Sequence, residues 1–200
     1  GTASGNVTNV FAACANGQWT WMGGSSSSNQ TGTYGTKGTA AAANIPGGRY
    51  AAASWADNTN GNLWLFGGRG YPASVGISIG VLNDLWKYNI ATGQWTWVSG
   101  ADTDSQNGVY GTKGTAAAGN VPGAREDAMS WIDATNGNLW LFGGYGKDSI
   151  GVYGQLNDLW KFTISSGQWT WVSGSRLADN LSVKGIYGTK GTPDLTNVPG

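Results

Sequence analysis

Large apolar residues in this chain fall into short bursts, each closed by glycine or a polar turn. Leu63-Trp64-Leu65-Phe66 runs into Gly67-Gly68, and Leu139-Trp140-Leu141-Phe142 runs into Gly143-Gly144. Trp95 and Trp97 lie two apart, as do Trp169 and Trp171, which puts each pair on one face of a strand. No stretch keeps the spacing of an amphipathic helix. Asn60-Gly61 and Asn136-Gly137 separate neighbouring bursts, and Asn-Gly is the strongest short hairpin signal. The pattern predicts four short strands per unit: Tyr50 to Trp55, Asn62 to Phe66, Asn83 to Tyr88 and Gln94 to Val98 in the first.

The pattern repeats. Arg49, Trp55 and Trp64 recur 76 residues later as Arg125, Trp131 and Trp140, and Leu82 to Lys87 recurs 74 later as Leu156 to Lys161. The segment Tyr-Gly-Thr-Lys-Gly-Thr starts at Tyr34, Tyr110 and Tyr187. Residues that recur at fixed places read as structural: Gly67, Gly68, Asp84, Trp86 and Trp95, then Gly143, Gly144, Asp158, Trp160 and Trp169.

A strand ending in Gly-Gly, a third strand with an Asp and an aromatic pair, and a Trp in the fourth together resemble the kelch repeat. Here those elements are Leu63 to Gly68, Asp84 to Tyr88 and Trp95, and again Leu139 to Gly144, Asp158 to Phe162 and Trp169. The resemblance implies an all-β fold, a β-propeller of kelch-type four-stranded antiparallel blades. The long inserts are similar to those of a bacterial variety of the repeat. The usual period is about 50 residues, so roughly 25 extra residues per unit are expected to be loops. Complete blades are expected over 46–100 and 122–174, joined by loops over 25–45, 101–121 and 175–200. A half blade is expected over 1–24, with Val7 to Phe11 as third strand and Gln18 to Met22 as fourth. That makes about two and a half blades, a partial propeller whose end blades need partners. Those partners are expected to be further blades of a longer chain or other copies of this one.

Composition narrows the function. Charged residues are 11% of the chain, against a usual share of about 25%. Glycine numbers 35, but 12 Trp and 8 Tyr speak for a folded chain rather than a disordered one. Net charge is zero, with no Lys/Arg cluster, which argues against nucleic acid as partner. No apolar run approaches the roughly 20 residues of a membrane span. The sole cysteine, Cys14, sits among Ala12, Ala13 and Ala15 and reads as a small buried residue. Histidine is absent, which removes the usual general base and commonest metal ligand. Some kelch-type propellers resemble galactose oxidase, whose copper site needs Tyr, His and a Cys–Tyr link; this segment cannot build it. Others are sialic-acid mutarotases. Glu126, the only Glu, reads as a channel-lining or loop-bonding carboxylate rather than as an acid–base catalyst. No catalytic residue and no cofactor is expected.

Strand alternation sends Arg69 to Val81 and Ser99 to Val121 to the same end of the units. The repeated Tyr110 and Lys113 segment reads as a spacer packed on neighbouring loops. A binding site should differ between units, so the candidates are Arg69, Tyr71, Tyr145, Lys147, Asp148 and Tyr153, where aromatic rings beside polar groups suit a glycan or a protein. Asp102 and Asp104 lie in an oxygen-rich stretch that lacks the distal Glu of a calcium loop, so a polar loop tip is the simpler reading. Asn6, Asn29 and Asn180 begin glycosylation-type triplets. The expectation is a non-enzymatic interaction module, extracellular or at a bacterial cell surface. The alternatives are a structural subunit of a surface layer or filament, and a fragment of a propeller enzyme.

Overall fold

The computed structural model describes residues 20–73, 79–133, 135–178, 185–194 and 196–199. Val7 to Phe11, Cys14 and the Asn6 and Asn180 triplets lie outside them. Of the strand expected over Gln18 to Met22, the described part, Thr20 to Met22, is irregular.

Every regular element among the described residues is a β-strand: β1 (Ala40–Ala41), β2 (Arg49–Tyr50), β3 (Ala53–Asp57), β4 (Asn62–Phe66), β5 (Arg69–Gly70), β6 (Gly80–Val81), β7 (Leu85–Asn89), β8 (Gln94–Ser99), β9 (Arg125–Glu126), β10 (Met129–Ile132), β11 (Leu139–Lys147), β12 (Tyr153–Thr163) and β13 (Gln168–Ser173). All pairings are antiparallel. One open sheet runs β1-β8-β7-β4-β3, a second runs β10-β11-β12-β13 with β9 also on β11, and β2-β5-β6 form a small third.

The turns obey local chemistry. Gly61 adopts φ +63° in the β3–β4 turn, a conformation that costs glycine nothing. Asp57 steadies that turn by accepting from the Asn60 backbone N–H and side chain at 3.2 and 2.9 Å.

Three expectations are corrected. The first strand breaks in two, β2 and β3, because Ala51 sits at φ +55°; Asp127 does the same between β9 and β10. The Arg69 to Val81 stretch is not all loop. Gly67 and Gly68 bend the ladder without ending it, and β5 pairs with β6; in the second unit β11 and β12 run on to a turn at 148–152. The Ser99 to Val121 insert also pairs. Val109 bridges Val121, and Ala117 bridges Trp169 of β13, as β1 pairs with β8 in the first unit. These residues cover the outer edge of each sheet, an edge that would otherwise stand open to unwanted pairing.

The core lies between the two large sheets. Ala53, Trp55, Phe66 and Leu85 from the first meet Leu139, Leu141, Phe162 and Trp169 from the second, all at most 5% exposed. Rings approach at 5.7 Å for Trp64–Phe162 and 5.5 Å for Phe66–Trp169. Each fully buried large side chain contributes about 1.5–3 kcal/mol. Trp55 Nε1 donates across the seam to the Trp131 and Trp140 carbonyls at 3.0 and 3.1 Å. Backbones also join there: Gly68 N–H donates to Arg125 O at 2.8 Å, and Arg125 N–H to Leu82 O at 3.0 Å. Gly67 must be glycine, since a Cβ on it would lie 2.7 Å from Arg125 O and 2.9 Å from Leu82 O.

Candidate functional site

The repeated Asp is the hub of each unit. Asp158 on β12 accepts two bonds from Arg125 at 2.6 and 2.7 Å, one from Tyr110 Oη at 2.6 Å and one from Trp160 Nε1 at 2.7 Å. Arg125 spends its remaining reach on the Gly123 and Gly143 carbonyls, both at 3.1 Å. Both charged side chains are completely buried. Burial alone would raise the Asp158 pKa, but the Arg125 charge and the hydrogen bonds hold it below its ordinary value. Burial and the neighbouring Asp158 push Tyr110 well above the tyrosine range. Asp84, Arg49, Tyr34 and Trp86 repeat the arrangement in the first unit, at 2.6–2.8 Å. Donors and acceptors match one another in these clusters, which leaves them no opening for chemistry.

The first two Tyr-Gly-Thr-Lys-Gly-Thr segments reach a neighbouring loop through their lysines, but that is not their main contact. They dock on the sheet that follows them in sequence. Tyr34 lies 4.8 Å from Trp86 and 5.1 Å from Trp97. Lys37 sits 4.2 Å over Trp97 and donates to Gly100 O at 2.7 Å. Lys113 does the same over Trp171, at 4.4 Å, and to Gly174 O. Asn44 and Asn120 tie the segment's end to the Trp95 and Trp169 carbonyls at 3.1 Å. In the third copy the hairpin forms, with Ile186 bridging Val198, but Tyr187 is 75% exposed.

The positions that break the repeat gather at one end of the strands. Arg69 on β5 donates Nε and Nη2 to Glu126 on β9 at 2.8 and 2.6 Å, a bidentate pair that bridges the two units. The Glu126 hydrogen bonds keep the Arg69 pKa above the ordinary arginine value. Tyr145 is opposite Glu126 in the β9–β11 register, and Tyr50 is opposite Arg69 in the β2–β5 register. Tyr145 and Tyr153 stack at 6.2 Å with 21° between their planes. Lys147 caps Tyr153 at 4.8 Å and donates to Gly151 O. Tyr153 Oη is 2.9 Å from Ser105 Oγ. Tyr145 and Tyr50 remain largely exposed. Arg69, Tyr145, Lys147 and Tyr153 thus come together, with Glu126 and Tyr50 added by the structure. Both Arg69 and Glu126 depart from the repeat and carry opposite charge; that shared departure was the available signal for their pairing.

Other candidates are placed elsewhere. Asp148 is fully buried. Its oxygens accept from Ile150 N–H and Val152 N–H at 2.8 Å and from Ala178 N–H at 3.0 Å, so the carboxylate holds the 148–152 turn instead of facing a ligand. Tyr71 occupies the first-unit position equivalent to Lys147, and its N–H donates to Gly48 O at 3.1 Å. Asp102 accepts from Ala73 N–H through its backbone, and Asp104 accepts from Ser105 Oγ at 3.0 Å. Among the described residues no three His, Cys, Asp or Glu side chains group as a metal site, and no helix is long and apolar enough to cross a membrane.

No protein-family model matches the chain, and no curated protein matches it. The solved structure of YjhT matches with a TM-score of 0.47 and 23% identity, over 67% of this chain and 40% of that one. The chain thus spans less than half the length of that neighbour.

Proposed function

We propose that the two units are consecutive kelch-type blades of a β-propeller, and that the chain is a non-catalytic, extracellular recognition module whose ligand is a glycan. Four-stranded meanders stacked face to face, with the short β2 and β9 strands leading each one, support the blade reading. The observation that carries the binding reading is the exposed Tyr145 ring, stacked on half-buried Tyr153 beside the Arg69–Glu126 pair. A sugar ring offers C–H groups to an aromatic face and hydroxyls to flanking donors and acceptors. Arg69 and Glu126 cancel each other's charge, and the Arg69 side chain stays 31% exposed. That favours a neutral sugar over a phosphorylated or carboxylated one.

The test is a glycan array followed by calorimetry on the best ligand. Tyr145→Ala is expected to weaken binding by at least about tenfold, the order of one lost stacking contact. Binding that survives both Tyr145→Ala and Tyr153→Ala, or no glycan bound by the wild-type chain, would remove the proposal. A second reading, a structural subunit of a surface layer or filament, is favoured by a different observation: Met129 and Trp131 stand 66% and 44% exposed on the second sheet.

A further inference from the structure

The two sheets use different faces to meet. The first contributes Ala53, Trp55, Phe66 and Leu85, and the second answers with Leu139, Leu141, Phe162 and Trp169. Among the described residues, each set has a counterpart in the other unit that is left without a partner. Met129, Trp131, Phe142 and Leu159 stand where Ala53, Trp55, Phe66 and Leu85 stand, on the outer side of the second sheet. They border one apolar hollow, closed on one side by Pro199. On the outer side of the first sheet, Leu63, Leu65, Tyr88 and Trp95 match Leu139, Leu141, Phe162 and Trp169, and they too line a common groove. Trp21 and Met22 rim that groove but stay 68% and 74% exposed, so they do not seal it.

We infer that a second copy of this chain seats its first sheet on the second sheet of the first copy, repeating between molecules the packing already present within one. The internal seam supplies the template. There, two apolar rows interlock, Trp55 Nε1 finds the Trp131 and Trp140 carbonyls, and Ser130 Oγ donates to Ser54 O at 3.1 Å. In the intermolecular seam Trp131 takes the role of Trp55, and its indole N–H meets the carbonyls of Trp55 and Trp64 in the second copy. Charge does not oppose the contact, because the chain carries 11 basic and 11 acidic residues and no net charge. The interface is head to tail, so each added copy presents the same free face again, and growth ends only in a closed ring or continues as a filament. None of these residues belongs to the Tyr145 cluster, so this inference stands or falls independently of glycan binding.

The experiment is sedimentation velocity on the 200-residue chain across the micromolar range, with one variant for each face. Met129→Glu and Leu63→Glu each place a charge at an exposed position, so matching melting curves establish that both fold. The wild-type chain is expected to grow with concentration. Each variant alone is expected to lose self-association by about a hundredfold, the effect of burying a charge in an apolar seam. Mixed in equal amounts, the two variants retain one intact face each and are expected to form a discrete dimer and nothing larger. If either variant is misfolded, Met129→Lys and Leu63→Lys repeat the mixing test. A wild-type chain that stays monomeric, single variants that still associate, or a mixture that fails to pair would each overturn the inference.

Discussion

Replacing Asp158 with Asn tests whether the buried hub governs stability. The carboxylate accepts four bonds, three of them on Oδ2, from Arg125, Tyr110 and Trp160. An amide keeps the shape but offers one acceptor and turns an NH2 towards groups that are themselves donors. It also leaves the Arg125 guanidinium charged and buried. Breaking one member of such a pair costs about 3–5 kcal/mol, a large part of a typical total of about 5–15 kcal/mol. For a chain this size that corresponds to a fall in melting temperature of about 6–20 °C. Urea unfolding followed by tryptophan fluorescence gives the free energy, since Trp160 lies in the hub. Removing both charges with Arg125→Met and Asp158→Leu, together with Tyr110→Phe, deletes most of the polar partners at once. That triple variant is expected to be less destabilised than Asp158→Asn alone, a non-additive result that a simple loss of packing does not produce. An Asp158→Asn cost below about 1 kcal/mol, or a triple variant worse than the single, would refute the reasoning.

Three further outcomes follow from the same geometry. Tyr110→Phe and Tyr34→Phe each strip an Oη–carboxylate bond and are expected to cost about 1–2 kcal/mol in urea unfolding, whereas Tyr187→Phe, on an exposed ring, is expected to change stability by less than about 0.5 kcal/mol. Stability should fall at both pH extremes. The depressed Asp158 pKa stabilises fully above the unfolded value of 3.8 and is lost as pH drops through the lower folded value. The raised Tyr34 and Tyr110 values stabilise fully below 10.0 and are lost as pH rises towards the folded values, which a melting series from acid to alkaline pH resolves. Gly61→Ala meets open space and bears only the cost of its positive φ, about 1 kcal/mol; Gly67→Ala adds a collision with two carbonyl oxygens and should lose clearly more in the same assay.

Much of the fold was legible before any coordinates. Period-two tryptophans, Asn-Gly turns and a repeated offset located β4, β8, β13 and the start of β11 to within a residue. Recurrence also marked Arg49, Asp84 and their copies as structural. It could not pair them, because a repeat fixes which positions are equivalent and not which positions touch. The strand break at Ala51 left no trace, since alanine rarely adopts a positive φ; Asp127, a residue type that does so more readily, was the only hint, and its equivalent Ala51 did not repeat it. Asp148 looked free because it differs between units; the need to satisfy two backbone N–H groups in a tight turn and a third from distant Ala178 is invisible in composition. The inserts looked like loops because their pairing to β8 and β13 is brief and carries no alternating pattern of its own.

Those inserts set the order in which a unit can become complete. Tyr34 is held by Asp84, 50 residues later, and the β1 pair Ala40–Ala41 lies against Trp95 and Thr96. The opening segment of a unit therefore waits for its final strand. A nascent chain that has emerged only as far as β7 has its carboxylate hub but no β8 edge for β1, so the outer edge closes last and bears the loop-closure entropy of the intervening stretch. A protease cut within residues 34–41 would likewise uncover the outer edge of β8, which stays paired to β7, giving the linker the role of a latch.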